Sequence, residues 1–146
     1  MDKDKIVSLL KTYFQHKADT HAIDMAFLYG SYACGHPNIE SDVDVAVLFR
    51  GEMPEDKAFD VVNTISLELS DLLKTEVNVL CIDAELSKPM LHYNAIVHGI
   101  PVFIKNFTQY ADIKLQAISQ MEDFSIFGIK WQSEIAKKRL EMLNRA

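Results

Sequence analysis

A chain of 146 residues, 49% hydrophobic and 25% charged, has the make-up of one globular domain with a sizeable core. No apolar stretch is long enough for a membrane span, and the N-terminus (MDKDKIVSLL) mixes acids with lysines and lacks a signal-peptide pattern, so a cytoplasmic protein without membrane contact is expected. The net charge of −6 and the absence of a basic run in the first hundred residues argue against direct nucleic-acid binding, which relies on clustered Lys and Arg, and favour a protein or small molecule as the target.

Residues 3–17 place Ile6, Leu9, Leu10, Tyr13 and Phe14 at helical spacing, which predicts an amphipathic helix lying on a sheet. His16 and His21, at or beyond its polar end, read as exposed. Met25–Tyr29 and Val45–Phe49 are short apolar runs bounded by turn residues and read as buried strands. Between them come Gly30-Ser31, a stretch Tyr32–Gly35 short enough for one helical turn, and a loop at His36-Pro37-Asn38 whose histidine reads as solvated.

Arg50 to Pro54 breaks the chain, and a helix begins near Glu55, where acids suit the positive end of the helix dipole. Phe59, Val62, Ile65, Leu69, Leu72 and Leu73 form its expected apolar stripe, through Lys74. Glu76–Ile82 reads as a third strand, with Cys81 as a small core residue. Ser87–His98 is helical, with Pro89 near its start, where proline is tolerated, and His92 and His98 at the surface. Gly99 ends it, and proline places the strand Ile100–Ile104 at a sheet edge. From about residue 107 a helical extension is expected to complete the single domain 1–146. Its Phe124, Phe127, Ile129 and Trp131, followed by Lys137-Lys138-Arg139, form either a solvated helix face or a docking surface. The two cysteines, Cys34 and Cys81, lack metal-ligand spacing and read as free thiols, Cys34 in a partly exposed loop.

The chemistry concentrates in Leu28–Phe49, LYGSYACGHPNIESDVDVAVLF. Ten residues separate Gly30-Ser31 from Asp42-Val43-Asp44. Side chains two apart on a strand share a face, so Asp42 and Asp44 point together while Val43 enters the core. Paired carboxylates repel unless a cation lies between them, and Mg²⁺ takes one or two carboxylates together with substrate phosphates. Gly30 lets the backbone approach a ligand closely. Ser31 suits a helix cap with free N–H groups for phosphate oxygens, and Ser41 is either a turn residue or a group orienting Asp42. A lone Asp-x-Asp is most often a solvated strand end; the composite of Gly-Ser, spacer and Asp-x-Asp between two buried strands is far more specific.

That composite resembles the signature of the DNA polymerase β-type nucleotidyltransferase superfamily, and the short chain is similar to its minimal nucleotidyltransferase (MNT) branch, many of whose members are antitoxins paired with HEPN-type ribonuclease toxins. The resemblance spans roughly Asp24 to Lys105. It implies an α/β fold with a small mixed sheet of about four strands packed with helices. It also implies a Mg²⁺-dependent enzyme using two ions and ATP, transferring AMP to a tyrosine hydroxyl of a HEPN-type toxin with which it forms a hetero-oligomer. On this resemblance Asp42 and Asp44 are catalytic and hold the metal, with Gly30, Ser31 and Ser41 at the nucleotide. A third carboxylate usually stands on the third strand, at the position of Asn78. Asparagine retains one neutral oxygen but loses a charge, and Glu76, two residues earlier, is an alternative ligand. The departure keeps open an antitoxin that acts by binding alone. Aminoglycoside-modifying nucleotidyltransferases have a similar pattern, although no second domain that could close over a drug is evident here.

Overall fold

A computed structural model describes residues 2–30, 32–33, 42–83 and 88–123. The element order is α1 (Lys3–Lys17), β1 (Ile23–Tyr29), β2 (Val43–Phe49), α2 (Glu55–Leu73), β3 (Val77–Cys81), α3 (Pro89–Ile96) and β4 (Ile100–Ile104). A further helix, α4, occupies 107–123. Among the described residues the expected strands and helices are present, with β1 and β2 each two residues longer at their starts; Cys34 and the loop after it, and Phe124, Phe127, Ile129, Trp131 and Lys137-Lys138-Arg139, lie outside the described residues.

The sheet order is β3-β2-β1-β4. β1 pairs antiparallel with β2 and β4, whereas β2 and β3 are parallel. The sheet is therefore mixed, and Pro101 lies on an edge strand, where a missing ladder donor costs least. The parallel step comes from the α2 crossover, since parallel neighbours need a long connection. Helices cover both faces, so β1 and β2 are almost continuously buried and read as unbroken apolar runs.

One face packs Ile6, Leu10 and Phe14 of α1 and Ile65, Leu69 and Leu73 of α2 against Val43, Val45 and Val47. The other packs Ala95 and Ile96 of α3 and Ile113 and Ala117 of α4 against Phe27, Ala46 and Leu48. Even-numbered β2 residues thus look toward α3 and α4, and that parity decides where Asp42 and Asp44 point.

Local chemistry sets the element ends. Asp2 caps α1 by accepting from the Lys5 N–H at 2.8 Å. Lys74 closes α2 in the left-handed conformation. Two α2 serines then hold the first residue of β3: Ser66 Oγ donates to the Val77 carbonyl at 2.6 Å, and Ser70 Oγ accepts from the Val77 N–H at 3.1 Å. At the other end of the sheet, buried Asp24 accepts from Arg50 Nε and Gln109 Nε2, each at 3.3 Å, and joins β1, the end of β2 and α4.

Several side chains depart from their expected places. Phe59 is 66% exposed and Leu72 42% exposed, so neither belongs to the buried stripe of α2. The inward positions run through Ala58, Val61, Val62, Ile65, Leu69 and Leu73; Phe59 lies about 100° from the centre of that line, and Leu72 lies on its flank in the last turn of the helix. Cys81 is exposed, because β3 is an edge strand and one of its sides lacks a covering neighbour. The His21 side chain is only 11% exposed and lies 3.5 Å from Glu68 Oε1, in a cluster where Tyr13 donates to Glu68 Oε2 at 3.0 Å.

His92 departs furthest from the surface position expected of it. It is 1% exposed, beneath α3, with Nδ1 3.8 Å from Asp83 Oδ1 and no hydrogen-bond partner for that nitrogen among the described residues. Burial pushes its pKa below the ordinary histidine value, against the pull of Asp83. The unfolded chain therefore takes up this proton first. The stability involved is intact above about pH 6.5 and is lost as the pH falls through the folded-state value. Urea midpoints at pH 7.5 and 5.5 should show the parent weaker at pH 5.5, and His92→Leu should narrow that gap. An equal gap in both proteins would mean that His92 does not titrate in this range.

Candidate active site

The end of β1 and the start of β2 meet on the face of the sheet that carries α3. Cross-strand register places Tyr29 opposite Asp44. On the other side the parallel β2–β3 ladder places Asn78 opposite Asp44 and Val77 opposite Val43. Asp44 is therefore flanked by a tyrosine and an asparagine in one row across three strands, with Asp42 two residues earlier. Val43, between the two carboxylates, is fully buried and anchors them.

Asn78 stands beside the pair: its Nδ2 donates to Asp42 Oδ2 at 3.3 Å, and the strand register sets it opposite Asp44. The Asp44 carboxyl is held above the usual carboxylate range by partial burial and by the adjacent Asp42 charge, against the lowering effect of the Asn78 amide. Burial, with the Asp44 charge, likewise pushes the Tyr29 hydroxyl up.

Gly30 closes the arrangement from above. Its φ is +77°, and a Cβ built there would overlap Asp44 Oδ2 and lie 3.3 Å from Asp44 Cβ and Cγ. The two halves of the signature, ten residues apart in sequence, are thus in contact. Two carboxylate side chains sharing a face, together with backbone stripped of a Cβ, form a hard-oxygen donor set that fits Mg²⁺. Ser31, Ser41 and His36 lie outside the described residues. Glu76 is exposed ahead of β3, and its backbone carbonyl accepts from Val43 N–H at 3.1 Å. Among the described residues, His, Cys, Asp and Glu do not assemble into any group of three that could hold a metal. Glu76 accordingly does not complete a trio with Asp42 and Asp44.

The bond from Asn78 to Asp42 and the paired serines behind it escaped sequence reasoning. The polar Ser66-x-x-x-Ser70 spacing on one side of α2 was the only available signal. A cavity of about 700 Å³ lies at the opposite end of β2 and β3, lined by Leu48, Phe49, Met53, Ile82 and Ile113 among others. It is remote from Asp42 and Asp44, and the charged side chains that line it, Glu52, Asp83 and Asp112, are acids that would repel a triphosphate.

A four-stranded mixed sheet with Gly30 set against an Asp-x-Asp strand defines a nucleotidyltransferase of the polymerase β type, and residues 6–108 match the family described as polymerase beta, nucleotidyltransferase. The chain belongs to that family. It is similar in fold to a toxin–antitoxin protein solved with AMP-PNP, at 17% identity and a TM-score of 0.60, over 85% of this chain and 90% of the other. It is also similar to a chain from the tri-AMPylated Shewanella oneidensis HEPN toxin in complex with MNT antitoxin (14% identity, TM-score 0.58, 81% and 88% covered). A third similar chain comes from the MntA-HepT toxin–antitoxin (13% identity, TM-score 0.58, 80% and 88% covered). No curated protein matches in sequence. Among the described residues no helix is long and apolar enough to cross a membrane.

Proposed function

We propose that this protein is an antitoxin that transfers AMP from ATP to a tyrosine hydroxyl of a HEPN-type toxin and so neutralises it. The observation that carries the reading is the contact of Gly30 with Asp44, which Asn78 stands opposite and Asp42 precedes by two residues. The similarity in fold to chains from toxin–antitoxin complexes, one of them of a HEPN toxin with an MNT antitoxin, supports the choice of partner. Mg²⁺ would be held by Asp42 and Asp44, and when bound it neutralises charge on the triphosphate and lowers the pKa of the attacking hydroxyl.

This chain's own residues do the remaining work. The buried Val43 and the Val77 anchor hold the two carboxylates at fixed spacing, so their geometry is set before ligand arrives. Gly30, lacking a Cβ, lets the Asp44 carboxylate sit against the turn, and Ser31 and Ser41 are assigned to the nucleotide. The acceptor oxygen bonds to the α-phosphorus, the bond from that phosphorus to the α–β bridging oxygen breaks, the hydroxyl proton passes to solvent water and pyrophosphate leaves.

Purified protein, Mg²⁺ and ATP should add one or more AMP groups to a HEPN-type protein encoded beside it, read by intact-mass spectrometry, with tandem fragmentation placing them on tyrosine. Asn78, in place of a carboxylate, favours one rival reading, neutralisation by binding alone. A toxin that is silenced while its mass stays unchanged would establish that rival.

A further inference from the structure

Asn78 stands where a third carboxylate would complete the metal cluster, and the direction of its hydrogen bond carries a consequence for metal number. The amide donates through Nδ2 to Asp42 Oδ2 at 3.3 Å from a position opposite Asp44 in the strand register. The end of the side chain that faces the carboxylates is therefore a donor bearing partial positive charge. An ion seated among all three side chains would need that same space and the same carboxylate oxygens. The only acceptor on the amide is a neutral oxygen, a weak ligand beside a carboxylate.

We propose that Asn78 restricts the site to a single divalent cation, an inference that rests on the nucleotidyltransferase reading above. Two divalent ions a few ångströms apart repel with four times the energy of two unit charges. A paired-metal site offsets that repulsion with bridging anionic ligands. Here the described residues supply only the two carboxylates of Asp42 and Asp44, and Glu76 does not join them. One ion, shared by these carboxylates and the triphosphate oxygens, fits that charge. Asn78 is then a positioning residue: its bond to Asp42 holds that carboxylate in place beside Asp44. The second ion is excluded both by the missing charge and by the donor in its place.

Manganese counts the ions without reference to turnover. The full-length protein is loaded with Mn²⁺ and a non-hydrolysable ATP analogue, then examined by electron paramagnetic resonance alongside calorimetric stoichiometry. Two Mn²⁺ ions about 3.5–4 Å apart would couple magnetically and broaden the signal, whereas one gives an isolated-ion spectrum. The parent should hold one ion per protein with an isolated-ion spectrum, and Asn78→Asp should hold two with a coupled spectrum. A coupled pair in the parent would overturn the proposal whatever the variant does. A single ion in both would show that Asn78 does not set the number. Failure of the parent to bind Mn²⁺ at all with the analogue would instead sink the nucleotidyltransferase reading, and this inference with it.

Discussion

Asp44→Asn is expected to remove Mg²⁺-dependent ATP binding and to lower AMP transfer at least about a hundredfold, with Asp42→Asn/Asp44→Asn showing no measurable transfer. Loss of one well-placed electrostatic contact in a transition state costs on the order of 3 kcal/mol, which is that factor in rate. Folding should move the other way. Asp44 is charged in a half-buried place beside Asp42, and its pKa is raised by burial first and by that neighbour next. A neutral residue of the same shape relieves both costs, so the variant's melting temperature should equal or exceed the parent's. Opposite movement of function and stability is the mark of a ligand-holding residue under strain. The pH dependence follows the same sign: with a raised folded-state pKa, protons compete with the cation at a higher pH than at an ordinary carboxylate, which titrates near 4. Calorimetry of Mg²⁺–ATP binding from pH 7.5 downward should show affinity beginning to fall above that point, and whatever binding Asp44→Asn retains should lack the Asp44-dependent part of the fall. A variant that binds Mg²⁺–ATP like the parent would remove Asp44 from the site.

Gly30→Ala should be nearly as damaging, by a different route. At φ +77° any side chain costs about 1–2 kcal/mol, and here the added methyl also runs into the Asp44 carboxylate. Gly51→Ala supplies the control, because Gly51 has a φ of +65° but open space around its Cβ direction. Both variants should lose the backbone term in urea unfolding. Gly30→Ala should lose more, and it alone should weaken Mg²⁺–ATP binding, by more than tenfold. Equal effects of the two on stability and binding would mean that the Gly30–Asp44 contact has no functional weight.

Most of the scaffold was legible because it depends on period and punctuation. The buried runs Met25–Tyr29 and Val45–Phe49, the stripe of α1 and the Pro101 edge strand announce themselves in neighbouring residues. Burial of individual side chains was less legible, for particular reasons. Phe59 is apolar and falls near the α2 stripe, yet an offset of about 100° turns it to solvent. His92 reads as polar, yet α3 presses it onto the sheet beside Asp83. Cys81 lies in an apolar run, yet its strand is the uncovered edge.

The candidate site divides along the same line. The sequence by itself determined that Asp42 and Asp44 share a face and that a small-residue turn precedes them, since both follow from spacing within one chain segment. Only the tertiary structure decided that Gly30 touches Asp44, that Asn78 rather than Glu76 stands beside the carboxylates, and that Asn78 faces them with its donor. Those are consequences of register between strands, here pinned by Ser66 and Ser70 gripping Val77. A slip of one residue in β3 would have turned Asn78 to the opposite face, and nothing local to the Glu76–Asn78 segment encodes which alignment is taken.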